Sequence, residues 1–244
     1  MTTLLYQFPI SHYCEKARWA LDYKGVPFKT QTLLPGPHIK KIKSIAPHSS
    51  VPVLRIQNTI IQGSDQIIDY LDETVPEKPL TPQDSKLRDQ AVEWERFAAD
   101  KIADPLRCFY YHYLLDEPKT LIPLFCEDGP WYGNVLMYLI FKRLGRRMRA
   151  VAKINQRTAA VAMHVVDKAL TTLEKHLQTQ SFLVGDHFSR ADLSVCALLS
   201  PLVLPERGYM KARSLTATAL QDYRKAHINS QVFRWVNTIY NTYR

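Results

Sequence analysis

Between Pro76 and Asp84 the chain reads PEKPLTPQD, three prolines in a stretch with neither the twofold periodicity of a strand nor the 3.6-residue periodicity of a helix. Proline removes a backbone donor and fixes φ, so such a run belongs between structural units and not inside one. It splits the 244 residues into parts of different texture. Ahead of it, β-branched runs alternate with helical ones; behind it only helical spacing recurs. The expected organisation is a small α/β unit over 1–75, a linker over 76–84 and an all-helical unit over 85–244.

In the first part, TTLLYQF is a short buried strand ending at Pro9, and HYCEKARWALDYKG sets Tyr13, Ala17, Ala20 and Leu21 at helical spacing before a Gly25 cap. FKTQTLL is a second strand, and PGPHIKKIKSIAPHSS is a loop around a short basic helix. VPVLRI and TIIQ flank the Gln57-Asn58 turn signal as a hairpin, and SDQIIDYLDETV forms a helix capped by Ser64 with Ile67, Ile68 and Leu71 on one face. The order is βαβαββα.

Behind the linker the longest apolar stretch, GNVLMYLIF from Gly133 to Phe141, falls well short of the ~20 residues that cross a bilayer, so a buried helix is expected and no membrane span. The N-terminus shows no basic region followed by an apolar run, which points to a cytoplasmic chain. Cys14, Cys108, Cys126 and Cys196 have neither metal-ligand spacing nor a paired framework, so no metal site is expected. The net charge of +9 suits an anionic partner, and its densest source is KRLGRRMRAVAK, residues 142–153. That run sits on a helical pattern without interleaved aromatics and is read as a solvated face, with no nucleic acid expected.

Three short stretches carry chemistry. Ser11-His12-Tyr13-Cys14 stands where the first strand turns into the first helix, and a thiol held there is pulled toward thiolate by the helix dipole and nearby donors. Val51-Pro52 opens a β-branched run, which calls for an edge strand or a cis bond and leaves the backbone of Val51 free to pair with an extended peptide-like ligand. Gly63-Ser64 begins a helix, whose free N–H groups suit a carboxylate.

Taken together, SHYCEKARWALDYKGVPF, SSVPVL and GSDQIIDYLDE resemble, in order and spacing, the thioredoxin-like N-terminal domain of cytosolic glutathione transferases. FLVGDHFSRADLSVCALL, residues 182–199, is similar to the capping box that opens the core helix of their helical C-terminal domain, with Ser189 as N-cap, Asp192 three residues on, and Phe188 and Leu193 as a hydrophobic staple.

The resemblance implies glutathione as co-substrate, a homodimer, and transfer to a hydrophobic electrophile. Glutathione's cysteinyl backbone would pair with Val51 ahead of Pro52, and its γ-glutamyl carboxylate would sit at Gly63 and Ser64. Its glycyl carboxylate would meet a base among His38, Lys40, Lys41 and Lys43, with His38 and Lys41 put forward. Ser11 falls at the hydroxyl position of serine-type members, and Tyr6 is one residue out of register for a tyrosine-type one. Cys14 matches the second cysteine of a C-x-x-C pair, leaving glutathione-dependent thiol-disulfide exchange through Cys14 as an alternative. Gly63 departs from the acidic residue or glutamine usual there, which leaves a non-catalytic binding module as another; Gln62 or Asp65 would compensate. An aromatic wall for the electrophile is expected from Trp94, Phe97, Cys108, Phe109, Tyr110 and Tyr113.

Overall fold

A computed structural model describes residues 3–210 and 217–244. The first alternating run is β1 (Thr3–Gln7), followed by helix α1 (His12–Tyr23) and then β2 (Lys29–Thr32), parallel to β1. Helix α2 (His38–Lys43) leads through the Val51-Pro52 corner to β3 (Val53–Ile56), β4 (Thr59–Gln62) and α3 (Ser64–Thr74). The sheet order is β2-β1-β3-β4, with β3 antiparallel to both neighbours.

Register sorts the strand side chains onto two faces. Leu5 lies opposite Leu54, and both join Ala17, Ala20, Ile67, Ile68 and Leu71 in the main core under α1 and α3. Tyr6 lies opposite Val53, and both turn the other way into a smaller cluster with Leu33, Ile42 and Ala46 beneath α2.

The proline-rich stretch is strapped down from both sides. Lys24 Nζ at the end of α1 pairs with Asp72 (2.6 Å) and donates to the Val75 carbonyl (2.8 Å). The backbone N–H groups of Leu80 and Thr81 donate to the same carboxylate at 2.9 and 2.8 Å.

Beyond it, α4 (Ser85–Phe97), a π-helical turn at Ala98–Ala103 and α5 (Asp104–Leu114) run on as one rod. A helix pair, α6 (Pro118–Cys126) and α7 (Gly133–Val151), projects from its end before α8 (Gln156–Leu177) packs back along α5. Helix α9 (Arg190–Val203) is buried along its whole length against α1, α4 and α11, and α10 (Thr218–His227) and α11 (Gln231–Tyr243) finish the chain. Its start carries the expected capping box: Ser189 N–H donates to Asp192 (2.9 Å), and so does Leu183 N–H (2.8 Å). Phe188 stacks on Tyr243 at 4.3 Å and lies beside Trp19 and Tyr23, joining α1 to α11. A small mixed sheet with helices, followed by a helical bundle, is a thioredoxin-like domain plus an all-α domain.

Two helices differ from their sequence-based outlines. Ser64 is the first residue of α3 and not its cap, because Gly63 takes the capping position with φ +106°, where any side chain would be strained. Helix α7 is buried only along Gly133, Met137, Phe141 and Gly145, while Val135, Tyr138 and Leu139 face outward, Leu139 at 80% exposure. A Cβ on Gly133 would stand 3.3 Å from Leu34 and 3.4 Å from Cys126, so a narrow stripe seats the helix, with Leu136, Ile140, Leu144 and Met148 half-buried beside it, and the face carrying Val135, Tyr138 and Leu139 is left uncovered. Among the described residues, no helix is long and apolar enough to cross a membrane.

Candidate active site

The turn between β1 and α1 is held by its carbonyls. Arg18 donates to Pro9 O (3.4 Å), to Gln7 Oε1 and to Glu15 (2.9 Å), and lies 4.9 Å from the ring of Tyr209, whose hydroxyl donates to Ile10 O (2.8 Å). Ser11 follows with its N–H on Phe8 O (3.1 Å) and caps α1: its Oγ accepts from Cys14 N–H (3.3 Å), leaving the hydroxyl proton available to another acceptor.

Ser11 opens onto a cavity of about 240 Å³ with Phe8, Ile10, His12, Tyr13 and Val51 on one wall and Leu106, Arg107, Tyr110, Tyr111 and Leu114 of α5 on the other. The Val51–Pro52 bond is cis, and Gly63 N–H donates to Pro52 O (3.1 Å), bringing the start of α3 beside this corner. A second cavity of about 520 Å³ continues there past Val51, Pro52, Gly63, Ser64 and Asp65 to Lys16 and Glu95. On the other side a groove of about 540 Å³ runs from Phe8 and His38 to α7. Arg107 lines all three spaces.

The titratable groups around Ser11 are held neutral. Burial, helped by the Arg107 guanidinium, lowers His12 to about 3, so its imidazole carries no charge at neutral pH. Burial raises Tyr111 to about 12 and pushes Tyr13 and Tyr110 up as well; Tyr13 donates to Asp104 (3.3 Å) and Tyr110 to Pro201 O (2.7 Å). Cys14 is fully buried, and burial raises its thiol although Arg18 and Ser11 favour the thiolate. Arg107, which pairs with Asp104 at 3.0 Å, is the cationic side chain lining the cavity, and Ser11 is its small hydroxyl.

The glutathione S-transferase N-terminal domain model matches residues 5–79, and the C-terminal domain model matches residues 147–229. Glutathione S-transferase 1 of Dianthus caryophyllus is 39% identical over 235 residues, 94% of this chain and 89% of that protein. The chain belongs to the glutathione S-transferase family. Its fold is shared with beta-etherase LigF from Sphingobium sp. strain SYK-6, at TM-score 0.64, 19% identity and coverage of 97% of this chain and 98% of that one. It is shared as well with a glutathione S-transferase from Methylobacterium radiotolerans JCM 2831 in complex with glutathione sulfonate, at TM-score 0.59, 17% identity and coverage of 96% and 93%.

Within the glutathione S-transferase fold the candidate positions separate. Ser11 and Val51 share one cavity; Val51, Pro52, Gly63 and Ser64 share the next; His38 lies in the α7 groove. Lys41 lines none of the three, its ammonium lying 5.9 Å from the Tyr6 ring on the far face of the sheet. Tyr6 is buried there, on the opposite face as its register implied, and the Gln7 side chain is taken up by Arg18. Gln62 is occupied in bonding His48 and Ser50, whereas Asp65 is exposed in the cavity, its Oδ1 2.8 Å from where a Cβ on Gly63 would lie.

The expected aromatic wall is displaced. Of its six residues only Tyr110 lines the cavity by Ser11; Trp94 and Phe97 pack on each other and Phe109 on Tyr113. Bonding from i to i+5 in the π-helical turn offsets the faces of α4 and α5, so one helical period cannot be carried across it. Periodicity accordingly overlooked Arg107 and Tyr111; the i, i+4 pairs Arg107–Tyr111 and Tyr110–Leu114, counted from Asp104-Pro105, are the signal that marks this face. Among the described residues no group of three or more His, Cys, Asp or Glu side chains is placed to hold a metal ion.

Proposed function

We propose that this chain is a glutathione transferase that holds the glutathione sulfur as a thiolate at Ser11 and directs it at an electrophile bound against α5. The observation that carries the proposal is the placing of Ser11 and Val51 in one cavity, with the spare hydroxyl proton of Ser11 beside the N-terminus of α1 and the Arg107 guanidinium on the opposite wall. In this arrangement glutathione lies along the corner with its cysteinyl backbone on Val51. Its γ-glutamyl carboxylate takes the N–H groups that open α3, and its ammonium pairs with Asp65. Asp65 thereby takes over from the side chain that Gly63 lacks.

The thiol proton leaves to solvent, and Ser11 donates a hydrogen bond to the sulfur that remains. A free thiol titrates near ~8.5, and two units of lowering correspond to about 2.7 kcal/mol. One charge-assisted hydrogen bond supplies about 1.5–3 kcal/mol, so hydroxyl and helix end suffice. The thiolate attacks an electrophilic carbon, a C–S bond forms and the leaving group departs with its electron pair; no covalent bond to the protein is needed. The full burial of Cys14 and its raised thiol pKa weigh against disulfide exchange through that residue.

The deciding experiment follows the thiolate absorbance of bound glutathione across pH. The expected pKa is about two units below the free value in the native chain and returns toward ~8.5 in Ser11→Ala. An unchanged pKa in the variant would remove Ser11 from the mechanism. Failure to bind glutathione, together with no conjugation, would leave a binding module on a transferase fold.

A further inference from the structure

We infer that the outward face of α7, with the turn ahead of it, docks on an anionic lipid surface, the helix lying in the interface and not crossing it. Trp131 is 92% exposed, Val135 65% and Leu139 80%, each four residues from the next, and Tyr132 and Tyr138 beside them are exposed as well. Lys142 and Arg146 continue that line: positions 135, 139, 142 and 146 fall on one face of a helix, and both cations are exposed. The face is divided along its length, apolar and aromatic in its first half and cationic in its second. Val135 and Arg146 stand about 16 Å apart along the axis, close enough for both halves to meet one patch of bilayer.

Charge along the chain follows the same division. From Gly129 to Val166 the formally charged side chains number seven, all lysine or arginine. Arg149 pairs with Asp116 at 2.7 Å, and the other six, Lys153 and Arg157 among them, are exposed. Glu127 and Asp128, the acids just ahead of this segment, precede Trp131 and so stand at the apolar end, not among the cations. Exposed cations by themselves are answered by water. Large apolar side chains held in water beside them are not, and the pairing of the two selects the partner. A lipid surface meets both: Trp131, Tyr138, Val135 and Leu139 enter the headgroup boundary while the cations meet anionic headgroups. A second copy of the chain would set cations against cations, and a nucleic acid would leave Val135 and Leu139 in water. Trp131, Val135, Leu139, Lys142 and Arg146 line none of the three spaces around Arg107, so this surface is independent of the chemistry proposed at Ser11.

The test is co-sedimentation of the full chain with vesicles of phosphatidylcholine alone, or of phosphatidylcholine and phosphatidylserine in equal parts, at about 0.15 M salt. The native chain should bind the anionic vesicles at least about 100-fold more tightly than the neutral ones. Lys142→Gln with Arg146→Gln should weaken that binding about 30-fold, and Trp131→Ala with Leu139→Ser about tenfold, while thermal unfolding of both variants stays at the native midpoint. Phosphatidylcholine brominated on its acyl chains, mixed into the anionic vesicles, should quench tryptophan emission of the native chain, and Trp131→Phe should abolish the quenching. Sedimentation with neither vesicle, equal binding to both, native binding by either double variant, or quenching that persists in Trp131→Phe overturns the surface. A chain that ignores vesicles but retards duplex DNA through Lys142 and Arg146 overturns it in favour of a nucleic-acid face.

Discussion

The two ends of the cleft differ in how their charges are balanced. At the α3 end, Glu95 accepts from Lys16 of α1, Arg190 of α9 (2.7 Å) and Ser194 (3.3 Å), and Arg190 also bonds Asp69 of α3 and Thr81. Four helices and the proline-rich stretch meet on that network, which forms one wall of the cavity holding Asp65. At the α7 end, the exposed Arg143 and Arg147 line a groove with Ile140, Leu144 and Met148 and with no acid among its residues. The charges of the first end are answered mainly inside the protein and tie the fold together, whereas Arg143 and Arg147 at the second are exposed and answered by solvent.

Breaking the balanced end should have the largest effect. Glu95→Ala leaves Lys16 and Arg190 buried without their shared partner, an expected loss of about 3–5 kcal/mol read from the midpoint of urea unfolding. A loss below about 1 kcal/mol would mean that the network is not what joins the halves. Next comes the centre of the cleft: Ser11→Ala should lower kcat/KM for conjugation about 10- to 100-fold, while Ser11→Thr, which keeps cap and hydroxyl, retains most of it. Asp65→Asn should raise the glutathione KM about tenfold, and an unaltered KM would take Asp65 out of ammonium binding.

A smaller effect is set by pH. Burial works to raise the Asp72 carboxyl, but Lys24 and the N–H groups of Leu80 and Thr81 hold it below its ordinary 3.8. A depressed carboxyl contributes stability that is present above 3.8 and is lost as pH falls through the folded value. Acid unfolding followed by circular dichroism should therefore steepen below that pH in the native chain and flatten in Lys24→Met. Least of all, Leu139→Ser on the uncovered face of α7 should shift stability by no more than about 0.5 kcal/mol. A larger loss would show that this face is covered in solution.

Legibility in the sequence followed the range of the interaction concerned. The βαβαββα order and the Ser189–Asp192 capping box rest on neighbours in the chain, and their residues stand in the sequence as they do in the structure. The face of α5 turned to Ser11 was not legible, because the π-helical turn resets its phase from outside the helix. Nor was the one tertiary contact of the basic run 142–153: Arg149 pairs with Asp116, while Lys142, Arg143, Arg146 and Arg147 stay exposed, Arg143 and Arg147 at the edge of the groove. Hydropathy likewise treated residues 133–141 as one apolar block, whereas the narrow contact made by Gly133, Met137 and Phe141 decides which of them are covered.

The sequence alone determined the family, the two-part architecture and Ser11 as the hydroxyl at the strand-helix turn, since each is encoded in short spacings and local backbone chemistry. Only the tertiary structure decided that Arg107 spans three cavities, that Asp65 stands where Gly63 has no side chain, and that Arg149 of a charged helix pairs with Asp116 while its neighbours stay exposed. Those outcomes depend on which surfaces meet across more than a hundred residues of chain, and no local pattern carries that information.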